Sequence, residues 1–243
     1  MQKISGQDKA EKPESEGEKM KRDVDLREIS DGRLYTAEDM VRADCHDCQG
    51  CSACCHGMGN SIILDPMDIW RLYRGTGMDF SELVSRGYMD LGIVDGMILP
   101  HLKMTEESDA CRFLDPAGRC SVHGYRPGIC RMFPLGRYYE ESGFRYFLQV
   151  HECRKNNRSK IKIKKWLGIP NIKEYEGYIR DWHDFLGQCE KGLTELDEQN
   201  ARTLRIYVLR IFFQDPYEGD EKDFYHEFRE RLRETEEKLQ LGR

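Results

Sequence analysis

The chain has 243 residues, 39% hydrophobic and 34% charged, with a formal net charge of −6, which fits one domain or one domain with appendages and is polar for a globular protein. The acidic balance argues against nucleic-acid binding as the main role. No apolar run is long enough to span a bilayer and no signal-peptide core is present, so a cytoplasmic protein without a membrane partner is expected.

Residues Met1–Met20 are rich in Lys, Glu, Gly and Ser, and a disordered tail over 1–23 is expected. Order should begin near Val24. Thr36-Ala-Glu-Asp-Met-Val predicts a helical turn, with Thr36 as cap and Asp39 at the third helical position. A cysteine-dense stretch follows, closed by Gly57 and Gly59, which suit the sharp backbone of a metal-wrapping loop. Asp65-Pro66 starts a helix, with Asp65 as N-cap, Pro66 at the first position, and Ile69, Leu72 and Tyr73 on one face; Gly75 and Gly77 end it. A second short helix is expected over Asp79–Ser85, stopped by Gly87.

Tyr88–Leu99 reads as two strands around Asp95-Gly96. Cys111–Cys120 reads as another hairpin, turning at Asp115–Gly118. Arg126–Pro134 is a short helix or turn carrying Cys130, and Phe144–Val150 a strand that delivers His151 and Cys153. Lys160-Ile-Lys-Ile-Lys-Lys-Trp166 alternates charged and apolar groups and predicts an edge strand. Beyond Pro170 three helices are expected, over Ile172–Cys189, Thr194–Phe213 and Phe224–Leu239, with Asp215-Pro216 breaking the last two apart.

Nine of the ten cysteines lie between positions 45 and 153, together with five of the seven histidines (46, 56, 101, 123 and 151). In a reducing compartment such a concentration signals a metal or redox site rather than a disulfide framework. Cys45, Cys48, Cys51, Cys54 and Cys55 form one block, and Cys-x-x-Cys spacing turns successive sulfurs towards one soft metal centre. Cys48, Cys51 and Cys54 follow the opening of a bacterial ferredoxin run, which Cys55 then breaks. Adjacent side chains diverge, so Cys54 and Cys55 suit two centres or a bridging role within a cluster. Cys111, Cys120, Cys130 and Cys153 are the second-half ligands. Soft thiolates suit zinc and iron–sulfur alike. Structural zinc contributes ~10–16 kcal/mol to the folding of small modules, whereas an iron–sulfur cluster adds redox capacity. Cys189 sits inside an amphipathic helix and reads as a small buried hydrophobe.

Cys48-Gln-Gly-Cys51-Ser-Ala-Cys54-Cys55 resembles the signature of the YkgJ-type cysteine-cluster family, associated with zinc or iron chelation. The resemblance continues through Cys111-Arg-Phe-Leu, Gly118-Arg-Cys120-Ser-Val-His and Arg126-Pro-Gly-Ile-Cys130-Arg-Met-Phe-Pro134, covering roughly Asp44 to Cys153. It implies Cys48, Cys51, Cys54, Cys55, Cys111, Cys120 and Cys130 as shared ligands, with Cys45 and Cys153 outside the strict motif. Part of the wider family resembles flagellin lysine N-methylases, which use S-adenosylmethionine; no Gly-rich methyl-donor loop of the Rossmann type is visible here.

Other features have two readings each. Arg112, Arg119, Arg126, Arg131 and Arg154 adjoin or approach cysteines and could neutralise a thiolate centre, or be surface arginines. His123 and His151 could complete a metal site or be ordinary hydrogen-bonded histidines; His183 and His226 read as structural. Arg154–Lys165 holds seven basic residues and no acidic one, a docking strip for an acidic partner or nucleic-acid phosphate, or a solvated edge strand. The acidic residues of Glu106–Asp109 form no acid–base pair.

These readings combine into an α+β protein. An irregular, metal-stapled module with short β-hairpins is expected over 24–165, and a helical C-terminal part over 166–243. The leading expectation is a cysteine-cluster metalloprotein binding iron–sulfur or zinc through nine cysteines. The alternatives are an enzyme, methylase-like or cluster-dependent redox, and a zinc-stapled module with a protein partner.

Overall fold

A computed structural model describes residues 25–46, 48, 51–155 and 157–240. The expected tail over 1–23 and the start of order near Val24 lie outside the described residues. After a single helical turn, α1 (Leu26–Ile29), the chain enters β1 (Met40–Asp44). The expected helical turn at Thr36 is corrected here. The Thr36 backbone N–H and hydroxyl both donate to the Asp39 carboxylate, at 2.7 and 2.8 Å, so the capping interaction forms. No helix follows it, because Met40 and Val41 pair with Lys162 and Ile161 of β6 (Ser159–Lys162). Long-range pairing overrides the local signal.

α2 (Pro66–Thr76) starts as its sequence dictates. Asp65 accepts from the Asp68 backbone N–H, Asp68 returns the bond to the Asp65 N–H, and Pro66 occupies the first turn. Ile69 and Leu72 are buried, but Tyr73 is 50% exposed and does not share their face as expected. Gly77, at φ 72°, ends the helix in the left-handed conformation that glycine adopts without strain. α3 (Phe80–Ser85) is capped by Asp79 in the same way. β2 (Met89–Val94) and β3 (Met97–Leu102) then form the expected hairpin about Asp95-Gly96, in register from Met89↔Leu102 to Val94↔Met97.

The Cys111–Cys120 segment keeps the expected turn but not the expected strands. The Asp115 carboxylate accepts from the Ala117 and Arg119 N–H groups, at 2.9 and 2.8 Å. Pairing is limited to isolated bridges, Met104↔Cys111 and Leu114↔Cys120. α4 (Gly128–Met132) carries Cys130 as expected. β4 (Leu135–Glu140) was not foreseen; it pairs with β5 (Gly143–Leu148). Gly136 weakens the strand signal, yet glycine is required there, because a Cβ would collide with the ring of Phe147, its partner in register. β6 stops at Lys162, short of the expected extent. Ile163, Trp166 and Leu167 fit helical as well as alternating spacing, and they are buried as the inner face of α5 (Ile163–Leu167).

The C-terminal part is helical. α6 (Ile172–Leu193) buries Tyr175, Tyr178, Ile179, Trp182, Phe185, Leu186 and Cys189 along one stripe. α7 (Glu198–Leu209) runs into a π-helical turn, Arg210–Gln214, and Asp215-Pro216 separates it from α8 (Glu221–Leu239). Phe224 and Phe228 of α8 meet Tyr178 at ring-centroid distances of 5.5 and 4.6 Å. Trp182 packs on Phe212 at 5.1 Å. One contiguous apolar core joins the helices to the hairpins, reaching from Ala37 and Val41 through Leu64, Leu99 and Phe113 to Phe228. The fold is therefore α+β, with three two-stranded antiparallel pairs among the described residues and a helical C-terminal part. Among the described residues, no helix is long and apolar enough to cross a membrane.

Candidate metal centre

β1 delivers the first thiol. Cys45 directly follows it, buried, with its Sγ 3.5 Å from the Sγ of Cys48. The chain then turns tightly. Cys48 stands in the left-handed region at φ 55°, and the Cys51 N–H donates to the Cys48 carbonyl at 3.0 Å. A 3-10 turn, Ala53–Cys55, presents the adjacent pair. Gly57, at φ 70°, takes the chain out of the loop.

Two backbone contacts bring the distant cysteine blocks together. The Cys111 N–H donates to the Cys55 carbonyl at 2.7 Å, and the Gly57 N–H donates to the Asp109 carbonyl at 2.9 Å. Cys120 is set by the Asp115 turn. Cys130 is set by α4, whose Gly128 N–H donates to the Asp68 carboxylate of α2 at 2.8 Å. As a result Cys48, Cys51, Cys54, Cys55, Cys111, Cys120 and Cys130 line one cavity of about 860 Å³.

Cys45 and Cys153 lie off this cavity's wall. Cys153 is half-buried, and its electrostatic neighbours are Arg158, Cys45 and Cys51. Cys153 feels Cys45 and Cys51, and Cys55 and Cys130 feel Cys54 and Cys111, while Cys48 feels both Cys45 and Cys54 and so links the two sets. Among the described residues, no group of three or more Cys, His, Asp or Glu side chains is arranged to hold one ion as it stands. Cys189 is fully buried on α6 and is not part of the cavity lining.

Burial raises the thiols of Cys111, Cys120, Cys130 and Cys153 above their ordinary range. Burial, then the neighbouring Cys45, pushes Cys48 up to about 12. Cys54 departs from this pattern. The hydrogen bond from the Cys55 thiol brings it down to about 7 against the opposing effect of burial, with Arg126 assisting. Cys55 correspondingly moves up, because its proton is the one shared. The surroundings of Cys54 thus favour its thiolate, which is the form that binds metal.

The arginines divide. Arg126 sits near Cys48, Cys54 and Cys120, and Arg119 near Cys120. Arg112 instead donates to the Arg86 carbonyl, and Arg131 to the carbonyls of Gly124 and Leu167. Arg154 is exposed; the cation beside Cys153 is Arg158, which sequence reasoning grouped with the basic strip. His123 lines the cavity and contacts Arg126 through Nδ1 at 3.0 Å, whereas His151 is exposed. His183 also lines the cavity, stacked on Tyr139 at 3.7 Å, while His226 is exposed. Within Arg154–Lys165, Lys162 and Lys164 pair with Glu38.

Sequence reasoning missed a buried polar group built on Asp65, Asp68 and Arg137 of the cavity lining. Asp65 accepts from the Tyr178 hydroxyl at 3.0 Å, and Arg137 Nη2 donates to the Tyr175 hydroxyl at 2.8 Å. Burial, then the charge of Asp65, pushes Asp68 up to about 7. The capping signature at Asp65 and Asp68 was legible as a helix start, but its facing tyrosines come from a helix more than a hundred residues later.

Comparison with known proteins yields one match, over residues 47–162, to the family described as "CxxCxxCC: Putative zinc- or iron-chelating domain". Residues 47–162 match this zinc- or iron-chelating domain model. The domain contains eight of the ten cysteines; Cys45 precedes it and Cys189 follows it. No curated protein and no solved structure matches the chain. The donor set fits the metals the family is described with. Seven thiols on one cavity wall, with cations at their side, are the soft donors that zinc and iron–sulfur centres use.

Proposed function

We propose that the CxxCxxCC domain is a thiolate metal centre, holding zinc or an iron–sulfur cluster in a cytoplasmic protein. The observation that carries this reading is the convergence of seven cysteines, from stretches separated by more than fifty residues, on one cavity. Cys54, Cys55, Cys111, Cys120 and Cys130 would hold one centre, with Cys54 ionising first. Cys45, Cys48, Cys51 and Cys153 would hold the other, beside the β1–β6 pair. Arg126, Arg119 and Arg158 supply positive charge next to the thiols, which lowers the cost of gathering several thiolates. Zinc at such a site would staple the module over 24–165; an iron–sulfur cluster would add electron transfer. Elemental analysis with absorption spectroscopy tests the reading. Cys54→Ala should lower bound metal, whereas Cys189→Ala should leave it unchanged. Equal loss from both would refute the ligand partition.

An enzymatic role is the second reading, and the cavity favours it. Its volume falls within the range of small-molecule sites, and its lining includes Arg137, Tyr139 and His183 as well as thiols.

A further inference from the structure

The cavity is larger than a metal centre needs. A metal bonded to sulfur at about 2.3 Å stays against the thiols that hold it, and the lining extends well beyond the seven cysteines. Apolar side chains outnumber the thiols in it. Four of them come from outside residues 47–162: Trp166 of α5, and Ile179, Trp182 and Leu186 of α6. The three from α6 recur at helical spacing, on the stripe that this helix buries. Leu99 and Leu102 of β3 line the same space. All six are buried, the most exposed of them at 9%.

Native interiors hold few voids larger than a water molecule. An inward apolar stripe bordering about 860 Å³ of space is therefore more than packing requires. Water gains little against such walls, because it needs about 2–4 polar partners. An apolar ligand gains there the burial and dispersion contacts that a packed side chain would make.

The charged groups of the lining are already engaged. Asp65 accepts from the Asp68 N–H and the Tyr178 hydroxyl. Asp68 accepts from the Gly128 and Asp65 N–H groups. Arg137 donates to the Tyr175 hydroxyl, and its charge faces Asp65. Arg126 contacts His123. Arg119 and Glu152, which are exposed, carry opposite charges. A ligand with a net charge would thus enter an apolar space without a counter-ion of its own.

We propose that the cavity binds an uncharged, apolar organic molecule, with Trp166, Ile179, Trp182 and Leu186 among its contacts. The inference deepens the small-molecule reading of the cavity, on which it rests, by naming the ligand class. It stands on the volume and the lining, and not on metal being bound.

Fluorescence titration of the full chain with N-phenyl-1-naphthylamine, an uncharged apolar probe, and with its 8-sulfonate tests this. The two share a skeleton and differ in charge. The neutral probe is expected to saturate at a single equivalent and to bind roughly tenfold or more tightly than the sulfonate, whose charge would be buried unpaired. Ile179→Trp, which fills the cavity from α6, should abolish saturable binding. The comparison of the two probes on the unmodified chain decides the point even if that variant fails to fold. Binding of neither probe, equal affinities for both, many weak sites in place of one, or saturable binding that persists in folded Ile179→Trp would overturn the proposal. Metal content measured on the same samples separates the two readings. Single-site binding by metal-free protein would sustain the cavity assignment while refuting the metal centre, and full metal with no binding would do the reverse.

Discussion

Asp68 shows how a single residue ties helix start to site. It closes the capping box of α2, accepts the Gly128 N–H of the helix that carries Cys130, and is held near a pKa of about 7 by burial and by Asp65. Its folded-state value lies above the ordinary 3.8, so the native chain holds this proton more tightly than the unfolded chain. The contribution of Asp68 to stability is therefore most favourable below about pH 4 and declines as pH rises towards 7. Asp68→Asn, which keeps an acceptor for Gly128, should flatten that decline. Chemical denaturation of both proteins at pH 5 and pH 8 checks it: the variant's stability relative to the parent should be higher at pH 8 than at pH 5, and an unchanged difference would contradict the assignment. Gly128 makes a second residue-scale case. A Cβ there would collide with the Tyr175 hydroxyl, so Gly128→Ala should cost about 1–3 kcal/mol, read as a shift in the denaturation midpoint.

At the scale of elements, the helices were the most legible part of the sequence. Asp65-Pro66 and Asp79 announce α2 and α3, and the spacing of Tyr175, Tyr178, Trp182, Phe185 and Cys189 announces α6. The Asp95-Gly96 hairpin was equally plain, because two consecutive residues fix its register. Elements that depend on distant partners were not. Thr36 and Asp39 carry a helix-start signature that β6 redirects into a strand, and β4 hides behind Gly136, whose role appears only beside Phe147. α5 escaped because Lys160–Trp166 satisfies two periodicities at once. Tyr178 anchors α6 to both α2 and α8, donating to Asp65 while meeting Phe224 and Phe228. Phe228, 1% exposed, is the α8 side of that joint. Phe228→Ala should cost about 3–5 kcal/mol, detected by thermal or denaturant unfolding, and should loosen α8 without changing which cysteines bind metal.

Across the whole molecule, the sequence marks the thiols, and the fold brings seven of them, from two distant blocks, to one cavity. Cys-x-x-Cys spacing marks ligands without saying which share a centre. The proposed sorting rests on the β1–β6 pair, which places Cys45 near Cys153, and on the Cys55–Cys111 backbone bond, which sets the second block against the first. Two centres should respond separately. Cys45→Ser with Cys153→Ser should remove one share of metal, and Cys111→Ser with Cys130→Ser the other, each leaving the remainder bound; a single all-or-none loss would mean one shared cluster. Arg112, Arg131 and the Asp65–Tyr178 group could not be assigned from spacing, since their partners, the carbonyls of Arg86, Gly124 and Leu167 and the hydroxyl of Tyr178, are brought in by the fold.

The central claim is that these thiols are held for metal, and anaerobic purification of the full chain followed by elemental analysis tests it most directly. The account predicts zinc, or iron with acid-labile sulfide, at one equivalent or more per chain, lowered by Cys54→Ala and kept by Cys189→Ala. Metal-free protein that folds with an unchanged melting temperature, alike in the parent and in Cys54→Ala, would contradict it.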